Sequence, residues 1–98
     1  MNGKPALESY LRPVAHVLMQ IGAGVLTPSP EAGEDISGIN ALGVPGFAPI
    51  QDGRYYFNYH HTAADTLDKV DARELNENAA VMTVLAYALA DASEPAPR

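Results

Sequence analysis

Tyr55-Tyr56-Phe57-Asn58-Tyr59-His60-His61-Thr62-Ala63-Ala64-Asp65-Thr66 is the stretch around which the rest of the chain is read. It holds three of the five tyrosines, one of the two phenylalanines and two of the three histidines in 98 residues. Its apolar positions follow neither the helical nor the strand period, so it reads as a loop. Asp65-Thr66 at its end suits a turn, because short side-chain oxygens bond nearby backbone groups. Two readings of these residue types stand side by side. One is an aromatic cluster that packs a loop onto a core. The other is a lined pocket holding a histidine as metal ligand or proton carrier.

Downstream, Asp71-Ala72-Arg73-Glu74 fits a capping box, with Asp71 at the helix start and Glu74 reaching back. Leu75, Ala79, Met82, Leu85 with Ala86, and Leu89 then form an apolar stripe, widened by Val81, Val84 and Ala88. A stripe this wide predicts a helix packed on a sheet or between layers. After Asp91, residues 92–98 read as a frayed tail.

Upstream, Gln51-Asp52-Gly53-Arg54 carries an Asp-Gly turn signal. Phe47-Ala48-Pro49-Ile50 and Val25-Leu26-Thr27 read as short strands, each limited by proline. Gly43-Val44-Pro45-Gly46 is a turn. Between the strands, Ile36–Leu42 predicts a helical turn or two, with Asp35 as its cap. At the start, Leu7, Leu11, Val14, Leu18 and Ile21 recur at helical spacing. Pro5 suits the first turn, Pro13 predicts a kink or a split, and Gly22 and Gly24 end the helix. His16 falls off the stripe and is expected to face solvent. The order helix, strand, helix, strand, loop, helix predicts an α/β layered domain with parallel strands.

Bulk composition narrows the function classes. A length of 98 residues fits one small domain, and 47% hydrophobic residues exclude a fully disordered chain. The net charge is −6 with only six Lys and Arg, so nucleic-acid binding is not expected. There is no cysteine, hence no disulfide and no thiolate metal site. The N-terminus is not followed by an unbroken apolar run, so no signal peptide is expected. Ala79 to Ala90, the longest apolar stretch, is too short for a bilayer, and no membrane partner is expected.

The run Tyr59 to Asp71 resembles the last conserved block of the di-zinc exopeptidases of clan MH, the bacterial leucyl-type aminopeptidases and the plasma glutamate carboxypeptidase group. That block reads His-Thr/Ser-x-x-Asp-Thr, often with a second histidine in front. Gly33-Glu34-Asp35-Ile36, Gly43-Val44-Pro45-Gly46 and the helix to Asp91 match further pieces in order. The resemblance implies that His61 ligates one of two zinc ions, which together activate water and polarise the scissile carbonyl. It further implies that Tyr59, His60, Asp65, Thr66 and Asp35 line the pocket or support the loop. Asp65 and Thr66 would brace it by side-chain to backbone bonds. His60 would point away from His61, as neighbours in an extended loop do.

The family's earlier His-x-Asp, Glu-Glu pair and further Asp have no counterpart here. Residues 1–98 therefore read as a single partial domain, the C-terminal part of a three-layer phosphorylase/hydrolase-like zinc exopeptidase fold. The implied function is that of a segment of a metallo-aminopeptidase or dipeptidase acting on a peptide substrate, the segment alone being inactive. The alternative is a free-standing, non-catalytic α/β domain acting through protein partners. A sheet stripped of its other strands would leave an exposed edge through which the chain self-associates. A secreted or periplasmic location is implied by the resemblance alone.

Overall fold

The helix predicted from Leu7, Leu11, Val14 and Leu18 forms as α1, Ala6–Leu18. In the computed structural model, which describes residues 1–98 in full, Leu7, Leu11, Ala15 and Leu18 are the chain's buried apolar side chains. Pro5 sits at its N-cap and the helix runs on through Pro13 as one element, instead of splitting there. It tightens into a 3-10 turn, Met19–Ile21, and stops at Gly22, whose φ is 77°. The Ala23 N–H donates to the Leu18 carbonyl (3.0 Å) and the Gly22 N–H to the Met19 carbonyl (3.1 Å). These paired bonds are a Schellman stop, which satisfies carbonyls the helix would leave open. His16 is exposed and Ile21, the predicted end of the stripe, is exposed as well.

The middle of the chain is held by short local structure. Glu34–Ile36 is a 3-10 turn leading into α2, Ser37–Asn40. No side chain caps either of them, so Asp35 does not fill the capping role expected of it. The Asn40 amide donates to the Val44 carbonyl (2.9 Å) and folds the Gly43–Gly46 turn back onto α2. Gly46 is buried there, and a Cβ on it would stand 2.6 Å from Asn40 Nδ2 and 2.7 Å from the Ala32 Cβ.

The α/β expectation is corrected by this structure. No strand forms at Val25–Thr27 or Phe47–Ile50, and the one β-type pairing is an isolated antiparallel bridge between Asn2 and Gly46. Val25 is 82% exposed and Ile50 77%. No backbone bond joins residues 25–27 to residues 47–50. Strand propensity measures how well a side chain packs on a half-buried pleated surface. Neither run finds such a surface or a ladder partner, so both remain irregular. With no sheet there is also no sheet edge. The residues that do pair across the chain are the first two. The amino group of Met1 donates to the Thr27 carbonyl (2.8 Å), Ser29 N–H to the Met1 carbonyl (2.8 Å), and Asn2 exchanges backbone bonds with Gly46 (2.8 and 2.9 Å).

The last helix, α3, spans Ala72–Asp91. Asp71 caps it, its Oδ1 accepting from the Arg73 and Glu74 N–H groups at 2.9 Å each, while the return contact from Glu74 is absent. It packs against α1. The predicted sheet beneath it does not exist, and α3 buries no residue fully. Val81, Val84, Leu85, Ala88 and Leu89 are half-buried, and Leu75 and Met82 are exposed. Beyond α3 the chain returns to α1, where the Tyr10 hydroxyl donates to the Glu94 carbonyl (2.7 Å). No helix is long and apolar enough to cross a membrane.

The result is an open body. Its radius of gyration is 14.8 Å, against about 13 Å for a compact chain of this length. It exposes 7537 Å², against roughly 5,400 Å² for a compact monomer of 10.4 kDa. Part of this surface is a cleft of ≈ 890 Å³ between α1, α3 and the two irregular apolar runs, lined by Leu18, Ile21, Phe47, Ile50, Val81 and Leu85 among others. A second apolar cleft of ≈ 490 Å³ lies between Val17 of α1 and Tyr87 of α3.

Candidate functional site

The loop that leads into α3 is a succession of tight turns rather than an extended segment. Tyr56–Asn58 forms a 3-10 turn, and the His60 N–H donates to the Tyr56 carbonyl (3.0 Å). That i to i+4 bond places side chains 56 and 60 on one side of the turn. Their rings stack, with centroids 4.3 Å apart and planes 27° from parallel, and the Tyr56 hydroxyl lies 3.4 Å from His60 Nε2. Phe57 meets Tyr56 edge to face at 5.0 Å and His60 at 6.1 Å.

At His61 the chain reverses. Its φ of 57° is the single positive value outside glycine. Histidine is among the residue types enriched in this region, where most side chains crowd the backbone. The reversal corrects the expectation that His60 and His61 point apart. Their rings lie 3.9 Å apart, centroid to centroid, at 72°.

Thr62 fastens the reversal. Its hydroxyl donates to the Tyr59 carbonyl (2.8 Å) and accepts from the Ala64 N–H (3.2 Å), and its own N–H donates to the Tyr59 carbonyl (3.0 Å). This role of Thr62 is not among those the sequence implies for the block. Its signal was a threonine followed by two small residues, a pattern that lets a hydroxyl close a turn on the backbone. Thr66 makes one backbone bond of the expected kind, to the Ala64 carbonyl (3.2 Å), and also bonds the Asp68 carboxylate. The Lys69 ammonium beside it, helped by the Thr66 hydroxyl, holds the Asp68 carboxyl down to about 2. The Asp65 carboxylate has no hydrogen-bond partner in the chain; its backbone N–H donates to the Thr62 carbonyl (3.1 Å). The loop then passes through a 3-10 turn, Leu67–Lys69, to the capped start of α3.

Of the candidate residues, Tyr59 and His60 are half-buried, and His61, Asp65, Thr66 and Asp35 are exposed. The structure brings His60 to His61 directly. Asp35 stands in its own turn ahead of α2, bonded to neither. Neither of the two clefts is lined by any residue of the aromatic histidine stretch. No three His, Asp or Glu side chains converge on a point where they could hold a metal ion. His61 itself is suited to be one ligand of a larger set: it is exposed, and no hydrogen bond occupies either ring nitrogen.

The chain is similar along its whole length to proteins named Carboxypeptidase Q. It is 36% identical to the one from Xenopus laevis over 97 residues, covering 99% of this chain and 20% of the relative. With the one from Mus musculus the identity is 34% over 98 residues, again 99% of this chain and 20% of the relative. The one from Rattus norvegicus is 43% identical over 67 residues, 67% of this chain and 14% of the relative. The chain thus spans about a fifth of the length of the curated relatives it matches over its full extent. No family model matches it, and no solved structure matches it.

Proposed function

We propose that this chain is the C-terminal segment of a zinc-dependent metallo-exopeptidase, in which His61 is one metal ligand and the remaining ligands and the general base lie outside residues 1–98. The observation that carries the reading is the Tyr59–Asp71 block, whose His61 stands exposed with both ring nitrogens free, within a chain similar to Carboxypeptidase Q over 99% of its length. The open surface supports it too. An excess of about 2,000 Å² over a compact monomer is the size of a substantial interface. The remainder of a catalytic domain would cover the cleft between α1 and α3.

In the complete enzyme the zinc pair supplies Lewis acidity and an activated water for hydrolysis of a terminal peptide bond. This chain's share of the work is positional. The positive-φ turn at His61, closed by Thr62, presents the imidazole, and the α3 cap at Asp71 anchors the loop's far end.

Zinc titration calorimetry at neutral pH, on the wild-type chain and on His61→Ala, tests the reading. Weak binding that His61→Ala removes is the expected result. Tight binding by the chain alone would overturn the placement of the other ligands outside it. Weak binding that persists undiminished in His61→Ala would remove His61 from the ligand set.

A further inference from the structure

An imidazole that binds metal is ordinarily aimed by a hydrogen bond from its second ring nitrogen to a carboxylate, a carbonyl or water. His61 has no such bond within this chain. What touches its ring is another ring. His60 meets it edge to face at 3.9 Å and 72°, and His60 in turn lies flat on Tyr56 at 4.3 Å and 27°. The Tyr56 ring is itself backed by the edge of Phe57 at 5.0 Å. The backbone makes this order possible, because the His60 N–H to Tyr56 carbonyl bond fixes the stack and the φ of 57° at His61 turns the next side chain back onto it.

We propose that Tyr56, acting through His60, is a positioning residue for His61: the relay of stacked rings sets the His61 rotamer before any metal arrives. This rests on the reading of His61 as a metal ligand. Edge-to-face and offset-stacked arrangements are the favoured geometries of ring pairs, since the electron-poor edge of one meets the electron-rich face of the next. An exposed imidazole without the relay would sample its staggered rotamers and arrive at the metal in several orientations. With the relay, one orientation is paid for during folding. The Tyr56 ring, rather than its hydroxyl, carries the effect, because the hydroxyl reaches only His60 and at 3.4 Å.

The test is made without metal, by NMR of the 98-residue chain. The χ1 coupling constants and ring-proton shifts of His61 are measured in wild type, Tyr56→Phe, Tyr56→Ala and His60→Ala. The expected result is a single His61 rotamer with ring-shifted protons in wild type and in Tyr56→Phe. Tyr56→Ala and His60→Ala should each give rotamer-averaged couplings and ring protons at peptide-like positions. Unchanged α3 amide shifts in Tyr56→Ala would show that the fold survives. If that variant unfolds, Tyr56→Leu, which keeps an apolar side chain without a ring face, takes its place with the same expected averaging. Averaged couplings already in wild type, or a fixed His61 in either alanine variant, would overturn the relay. Such a failure is separate from that of the ligand reading, which the zinc titration of His61→Ala decides. A fixed rotamer together with zinc binding undiminished in His61→Ala would leave the relay standing and remove His61 from the ligand set.

Discussion

Leu11→Ala is expected to remove most of the stability of this chain. Leu11 is 1% exposed and sits in the middle of α1, between Leu7 at 1% and Leu18 at 4%. Truncating a buried leucine costs about 2–5 kcal/mol, the lost transfer energy plus the void left behind. A 98-residue domain has on the order of 5–15 kcal/mol in total. Four buried apolar side chains put this one near the bottom of that range. Equilibrium unfolding followed by far-UV circular dichroism should show a chain with half or more of its stability gone. Val17→Ala, on the same helix but 51% exposed, should change little. A loss below about 1 kcal/mol for Leu11→Ala would mean that the α1 stripe is not the core.

Gly24→Ala is expected to be nearly as damaging, for a steric reason. Gly24 follows the Schellman stop and lies against the end of α1. A Cβ there would stand 2.6 Å from the Ala15 carbonyl oxygen and 3.0 Å from the Met19 nitrogen, and would collide with Met19 Cγ. Met19 could move its side chain, but the carbonyl and nitrogen belong to the helix and cannot yield alone. The turn must shift, and such overpacking costs about 1–3 kcal/mol. Gly38→Ala is the contrast. It lies inside α2 with nothing within 4 Å of the added methyl. There the substitution should be neutral, or stabilising by about 0.5–1 kcal/mol, because alanine restricts the unfolded chain more than glycine does. Thermal unfolding of the two variants side by side checks both signs.

The difference between these local features and the mistaken sheet shows what a single sequence exposes. The stripe from Leu7 to Leu18, the glycine stop and the Asp71 cap were legible because each is set by residues a few positions apart. The strands were not, because Val25–Thr27 and Phe47–Ile50 become strands only beside a partner, and no local pattern supplies one. The site divides in the same way. The histidine block could be read from residue types. The meeting of His60 and His61 could not, since it depends on one backbone angle at His61 and on the Thr62 hydroxyl that closes the turn. Asp35 shows the opposite error: an acidic residue ahead of a short helix has the pattern of a cap, and no side chain caps that helix.

The surface left open between α1 and α3 also governs how the chain comes apart. An unfolded chain of 10.4 kDa exposes roughly 15,000 Å², of which this fold hides about half, where a compact domain hides nearer two thirds. Denaturant sensitivity and the heat-capacity increment of unfolding both follow the area newly exposed. Both should therefore be about four fifths of those of an ordinary domain of equal length. The chain should soften over a broad range of temperature or urea instead of melting sharply, and covering the cleft should restore a steep transition.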